Sequence, residues 1–207
     1  MRSLLNIDAD LRSQLDQTAL LYDDGVHVKH RLTRYHDFFV ERVNESDQVL
    51  DIGCGYGAVA FSVASRTGAQ VTGIDFSIEN IRLANDRYQL PNLRFVVGDA
   101  LTDLPNEDFD VVIFSNVLEH IERRPEFLRA AQTRIRPSRW LIRVPMIDRD
   151  WRVPLRRELG LYYFSDPTHF TEYTEESFRQ EIAEAGLEVR ELKVNWGEIW
   201  AEIAVPI

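Results

Sequence analysis

In "FSNVLEHIE", Asn116, Glu119 and His120 place an amide, a carboxylate and an imidazole at i, i+3 and i+4 directly after an apolar run. Such a set can hold a divalent cation or move a proton. It can also simply open a helix, with Asn116 as the N-cap, Glu119 complementing the helix dipole and His120 packed inward. A second imidazole, His169 of "DPTHF", lies between Asp166 and Tyr173 in the sequence. Imidazole titrates near neutral pH, so His169, or His120 in its place, is the candidate general base. His27, His30 and His36 sit on an N-terminal helical stretch and are expected to be surface or covering residues.

A second constellation precedes this one. "VLDIGCGYGAVA" puts Asp51, Gly53, Gly55 and Gly57 between an apolar run and a helical pattern. Glycines there let the backbone turn sharply and approach a ligand, in front of the free N–H groups of the following helix. The spacing Gly53-x-Gly55-x-x-Ala58 also satisfies the dinucleotide pattern, so the loop alone leaves the cofactor open. Asp75 stands at the end of the next apolar run, placed to accept hydrogen bonds from ribose hydroxyls in either case. Asp99, in "VVGDALTDLP", is an additional acid at the end of a third run.

These residues need elements to position them. "QVLDIG", "AQVTGIDF", "LRFVVGD", "FDVVIFSN" and "RWLIRVPM" read as strands that alternate with helical segments, the pattern of parallel pairing through crossover helices. Gly68 is expected to stop the first crossover helix, Ser77 to cap the second, and Thr174 and Gly186 to bound the last. "LEVRELKVN" and "EIWAEIAVPI" are expected to pair antiparallel at the sheet edge. Helical spacing over 3–21 and again over 26–43, broken at Asp23-Asp24-Gly25, predicts two leading helices. Residues 147–173 read as an irregular insertion rich in Arg, Tyr, Trp and Pro, a length at which loops are commonly functional.

The chain has 207 residues and a net charge of −10. The acidic balance opposes nucleic-acid binding, and no apolar run reaches the roughly eighteen residues of a membrane span. A soluble, cytoplasmic protein is expected. A single cysteine, Cys54, excludes an internal disulfide and a Cys-x-x-Cys metal site. The sequence sets no oligomeric state.

Through "VLDIGCGYG", "VTGIDFS", "FVVGDA", "FDVVIFSNVLEHI" and "DPTHFTEYTEESFRQEIAEAGL", in this order, the chain resembles the class I S-adenosylmethionine-dependent methyltransferases, in the type 11/type 12 group. The resemblance implies an α/β, Rossmann-like sheet of about seven strands, mostly parallel with an antiparallel C-terminal edge and helices on both faces. Residues 1–45 would be a helical lid. Residues 46–207 would form the S-adenosylmethionine-binding domain, with the substrate-side insertion at 147–173. Asp51, Gly53, Gly55 and Gly57 would hold the methionine end of the cofactor, Asp75 the ribose, and Asp99, the Ala100 N–H and Phe76 the adenine, with Asn116 close by. The implied activity is methyl transfer to oxygen or nitrogen of a small-molecule acceptor. Arg149, Arg152, Arg156 and Arg157 make an anionic or sugar acceptor one expectation, and a face paired with acids the other. A non-catalytic cofactor-binding module and a dinucleotide-dependent oxidoreductase remain the alternatives.

The stretch around Glu119 is also similar to that of ubiquinone-pathway O-methyltransferases and small-RNA terminal 2′-O-methyltransferases. There a Glu-x-x-Glu-His cluster and a downstream His hold a divalent ion. Glu119, His120 and His169 match three of those four ligands, and Asn116 replaces the first Glu. An amide oxygen is a poorer ligand than a carboxylate for a hard cation, so the expectation is a site without metal.

Overall fold

The five apolar runs fold as parallel strands; crossover helices join them except between the third and the fourth, where residues 98–110 connect without a helix. The computed structural model describes residues 1–22 and 27–206, so the break expected at Asp23-Asp24-Gly25 lies outside the described residues. The strands are β1 (Gln48–Ile52), β2 (Gln70–Asp75), β3 (Leu93–Val97), β4 (Val111–Ser115), β5 (Arg139–Pro145), β6 (Glu188–Asn195) and β7 (Glu198–Ala204). Among the described residues they form a seven-stranded sheet in the order β3-β2-β1-β4-β5-β7-β6. The first five strands are parallel, and β7 runs antiparallel to both β5 and β6. The expected Rossmann-like sheet with an antiparallel C-terminal edge is the one observed.

The leading helices are α1 (Arg2–Tyr22), α2 (Lys29–Thr33) and α3 (Tyr35–Val40). They are followed by α4 (Ala58–Thr67), α5 (Ile78–Arg87), α6 (Arg124–Ile135), α7 (Arg152–Glu158) and α8 (Glu175–Glu184). Local chemistry sets their ends as the sequence indicates. Gly68 closes α4 at φ 84°, and the Ser77 side chain accepts from the Asn80 N–H at the start of α5. Thr174 and Ser177 exchange hydrogen bonds in a capping box on α8.

Side chains alternate across a strand, so each strand feeds two cores. Leu50, Ile52, Val112, Phe114, Trp140 and Ile142 pack beneath α6 and α8, with Phe127, Leu128, Phe178 and Ile182. Val49, Val111, Ile113 and Leu141 face the other way, against α3 and α4, with Phe38, Phe39, Ala60 and Val63. Continuing the second series to the carboxyl ends of the strands reaches Asp51, Asp75, Ser115 and Arg143. One face of the sheet therefore ends in polar groups at the edge where a ligand would lie.

Two expectations change. The helix read over 26–43 is two short helices, broken at Arg34, whose φ of 54° is left-handed. The break turns Tyr35, Phe38 and Phe39 into the core while α2 buries none of its residues. The insertion at 147–173 is also less irregular than read, because it contains α7, which packs against α1.

Arg143 is almost fully buried. It forms a fork to Glu198 at 2.6 and 3.0 Å, donates to Ser115 Oγ at 3.0 Å, and stacks 3.7 Å from the Tyr35 ring centroid. Breaking such a pair leaves an uncompensated buried charge, costing about 3–5 kcal/mol. Glu198→Ala should therefore lower the melting temperature by roughly 10 °C. A joint Arg143→Met, Glu198→Leu variant should recover most of that loss in thermal denaturation.

Candidate functional site

The strand order reverses between β1 and β4, opening a crevice at their carboxyl ends. A cavity of about 210 Å³ occupies it, walled by Asp51, Gly53, Gly55 and Ser115 below and by His27, His30 and Tyr35 above. The loop after β1 turns through left-handed glycines. At Gly53 (φ 67°) an added Cβ would stand 2.5 Å from Val117 Cγ2, so the loop and the turn after β4 pack together only with glycine there. Gly55 (φ 54°) instead faces open space, with no atom within 4 Å of where its Cβ would be. It forms a floor over which a ligand can pass close to the backbone.

Asp51 is 1% exposed, and its Oδ2 has no hydrogen-bond partner among the described residues. Burial, together with the neighbouring Asp75 carboxylate, pushes its acid up to about 8, against the pull of the Ala60 N–H. An orphaned buried carboxyl oxygen lining a cavity calls for a cationic or hydrogen-bond-donating guest. Asp75, one strand over, holds the loop. Its Oδ2 accepts from the Gly55 N–H at 3.0 Å, and its Oδ1 accepts from the Ser77 N–H and the Asn80 amide. Cys54 also lines the cavity, but burial and the two carboxylates push its thiol far up, which removes it as a nucleophile.

Phe76 leaves the end of β2 with its side chain 78% exposed, beside the end of β3 where Asp99 and Ala100 follow. The Asp99 carboxylate accepts from the Leu101 N–H at 2.8 Å, and Leu101 is also largely exposed. An unpartnered aromatic ring next to a polar turn at adjacent strand ends suits a flat heterocycle.

The turn after β4 departs from the capping reading of Asn116. The structure has only a single 3₁₀ turn there, Leu118–His120, preceded by Val117 and without a side-chain cap. Asn116 adopts a left-handed φ of 59°, and its N–H donates to the Arg143 carbonyl at 2.8 Å. With its amide oriented to satisfy its neighbours, Nδ2 donates to the Arg143 carbonyl at 3.3 Å and Oδ1 accepts from Arg143 Nη2 at 3.0 Å. Asn116 is thus committed to Arg143 rather than to the histidines.

Glu119 points inward and is fully buried. Both of its carboxyl oxygens lack a hydrogen-bond partner among the described residues, and burial pushes its acid up to about 8. The Phe170 N–H donates to the Glu119 carbonyl at 2.9 Å, and Tyr173 is stitched beside the end of β5. These bonds bring "DPTHF" against the turn, so His169 Nε2 lies 4.0 Å from Glu119 Oε1. The His120 ring stands edge-on to the His169 ring, its Nδ1 at 2.8 Å from Thr168 Oγ1. One donor atom from each of Glu119, His120 and His169 falls within 4.8 Å of the others. Burial, then His169, lowers the His120 pKa.

Glu172 is the group that sequence reasoning missed. Its carboxylate lies 3.3 Å from His169 Nδ1 and also binds Arg149 and both donors of Ser165. Burial alone would raise its acid, but bonds from His169, Arg149 and Ser165 hold it below the ordinary range. Its spacing of three residues from His169 was the available signal. The arginines of the insertion are engaged as well: Arg152 with Asp150 and Asp8, and Arg156 with the Leu5 and Tyr162 carbonyls.

A family profile described as "Methyltransferase domain" matches residues 25–192. The chain belongs to this family. It is 36% identical over 152 residues to a ubiquinone biosynthesis O-methyltransferase of Chromobacterium violaceum, covering 68% of this chain and 63% of that protein. It is 33% identical over 102 residues to a norajmaline N-methyltransferase of Rauvolfia serpentina, covering 46% and 35%. The chain spans less than two thirds of the length of the curated relatives it matches. Its fold superposes on magnesium protoporphyrin IX methyltransferase of Synechocystis PCC 6803, solved with bound SAH, at a TM-score of 0.67 and 17% identity, covering 87% of this chain and 85% of that one. The resemblance to class I S-adenosylmethionine-dependent methyltransferases is therefore one of family and fold alike.

The position of Asp51 in this methyltransferase domain has a consequence for stability. Folding raises its acid from an ordinary 3.8 to about 8, so the folded state holds the proton more tightly. Stability from this group is full below pH 3.8 and is lost as pH rises through 8. Asn carries no charge at any of these values. Ligand-free Asp51→Asn should therefore melt above the wild type at pH 8 in differential scanning fluorimetry, with the gap closing toward pH 4.

Proposed function

We propose that the chain is an S-adenosylmethionine-dependent methyltransferase acting on oxygen or nitrogen of a small-molecule acceptor. The observation that carries this reading is the orphaned oxygen of Asp51 in the cavity beside Gly55. Two carboxylates at a glycine loop oppose a pyrophosphate and suit an ammonium and a sulfonium, which separates this reading from a dinucleotide oxidoreductase. The names of the relatives, an O- and an N-methyltransferase, support the reaction class and leave the acceptor atom open. A cytoplasmic location belongs to this proposal. No helix among the described residues is long and apolar enough to cross a membrane.

When bound, S-adenosylmethionine supplies an electrophilic methyl group. Asp51 would receive the ammonium of its methionine end, with Gly53, Gly55 and Gly57 shaping the loop around it. Asp75 would accept from the ribose, and Asp99, the Ala100 N–H and Phe76 would hold the adenine. Asn116 would act from the side by fixing Arg143. The acceptor becomes nucleophilic as its proton leaves, and His169 would take that proton at Nε2. Glu172 at Nδ1 would select that tautomer and stabilise the resulting imidazolium, while His120 packs edge-on to the ring. The enzyme reading differs from a non-catalytic binding module by this prepared histidine.

A second reading of the same residues has its own observation. The two orphaned oxygens of Glu119, converging with His120 and His169, are what a divalent cation would satisfy, with Glu172 as the carboxylate behind a ligating histidine. A cation there would supply positive charge that acidifies an acceptor hydroxyl.

Asp75→Ala should weaken binding of S-adenosylhomocysteine by at least about 30-fold in calorimetry, since hydrogen bonds to a charged group are worth about 1.5–3 kcal/mol each. Unchanged affinity would contradict the cofactor assignment. Metal analysis of the purified protein and of Glu119→Gln, with methyl transfer assayed after EDTA, separates the two histidine readings. Full activity without metal supports His169 as the base. Loss restored by magnesium or manganese, with metal content lowered in Glu119→Gln, supports the cation.

A further inference from the structure

A second cavity, of about 500 Å³, lies between α1 and the insertion. We propose that it binds the methyl acceptor, that the acceptor is an uncharged aromatic ring compound, and that Trp196 is the platform on which it stacks. The proposal rests on the methyltransferase reading and names the substrate class of that site.

Position comes first. Phe164 and Ser165 line this cavity; Ser165 donates to Glu172, and the Phe164 ring lies 6.4 Å from the His169 ring. On another side, Asp16 of this cavity lies 3.7 Å from His27, which lines the cavity over Asp51. The space therefore adjoins both the histidine that would take the proton and the pocket that would hold the methyl donor. Its volume is that of a site for a small organic molecule.

Charge then restricts the guest. Arg12, Arg149, Arg152 and Arg156 all border the cavity, yet each is committed. Arg12 pairs with Asp8 and Asp150, Arg149 with Glu172, Arg152 with Asp150 and Asp8, and Arg156 bonds the Leu5 and Tyr162 carbonyls. An anionic guest would have to displace a carboxylate from Arg12, Arg149 or Arg152, or the two carbonyls from Arg156. What remains free of ion pairing is an apolar and aromatic wall that includes Leu15, Tyr163, Phe164 and Trp196.

Trp196 is the least expected of these. It and Gly197 form the two-residue turn joining β6 to β7, at φ 55° and 75°. The first position of such a turn favours Asn, Asp or Gly, and a bulky side chain there is strained. The strain has no compensation within the fold, because Trp196 is 66% exposed. The turn is nevertheless held firmly. The Met146 N–H donates to the Gly197 carbonyl at 3.0 Å, and Arg149 packs so closely that a Cβ on Gly197 would meet its Cβ at 2.5 Å. A strained, exposed aromatic on a fixed turn at the mouth of a cavity is placed for a ligand.

The test uses 2-naphthol as the neutral aromatic probe and naphthalene-2-sulfonate as its anionic counterpart. Binding is followed by ligand-observed NMR on the full chain. The expected result is that 2-naphthol binds the wild type and Trp196→Phe within about threefold of each other, and Trp196→Asn at least about tenfold more weakly. Naphthalene-2-sulfonate should bind the wild type at least about tenfold more weakly than 2-naphthol. Trp196→Asn should also melt no lower than the wild type, since Asn suits the turn, so lost binding cannot be ascribed to misfolding. No binding of 2-naphthol to the wild type, equal affinity in Trp196→Asn, or preference for the sulfonate would overturn the proposal. S-adenosylhomocysteine binding, measured separately, tests the methyltransferase reading: its absence would defeat that reading whatever the naphthol result.

Discussion

Parallel pairing of β1 with both β2 and β4 is the constraint from which the site follows. Parallel strands place all their carboxyl ends at one edge, and a reversal of strand order leaves a gap between the crossover connections there. Because side chains alternate, the strand that buries Val49 on one face must bring Asp51 to the same face at its end, with Ser115 and Arg143 ending the matching series on β4 and β5. The polar edge is thus a geometric consequence of the apolar core. A carboxyl oxygen without a partner is tolerable there because it adjoins a cavity that a ligand can enter.

Two neighbouring groups organise the chemistry at that edge. Arg143, forked onto Glu198 and stacked on Tyr35, ties the antiparallel edge and the leading helices to the end of β5. It also occupies Asn116. Glu172 does the corresponding work for the insertion, collecting Arg149, Ser165 and His169 on one buried carboxylate. Each is a buried charge satisfied from several directions, an arrangement that fixes geometry more than it adds stability.

The strands, their order of appearance, the caps at Ser77 and Thr174 and the acids at the strand ends were legible in the sequence, because each depends on local pattern or on a motif with fixed spacing. What was not legible depended on partners distant in the chain. The role of Asn116 is decided by Arg143, which comes from a different strand. Glu172 gains its meaning only when the insertion folds back on Glu119. The arginines of the insertion left an anion site and an acid-paired face both open, and the partners that decide between them include Asp8 on α1, about 140 residues from Arg152, and Glu172 beside Arg149. The break at Arg34 was hidden because the helical spacing continues through it, and only the need to bury Tyr35, Phe38 and Phe39 requires the turn.

The central claim is that the crevice over Asp51 and Gly55 is built for S-adenosylmethionine. Isothermal titration of the purified chain with S-adenosylhomocysteine, repeated in the presence of excess NAD, tests it most directly. The account predicts one site per chain with micromolar or tighter affinity, unaffected by NAD. Absence of binding, or binding abolished by NAD, would contradict it.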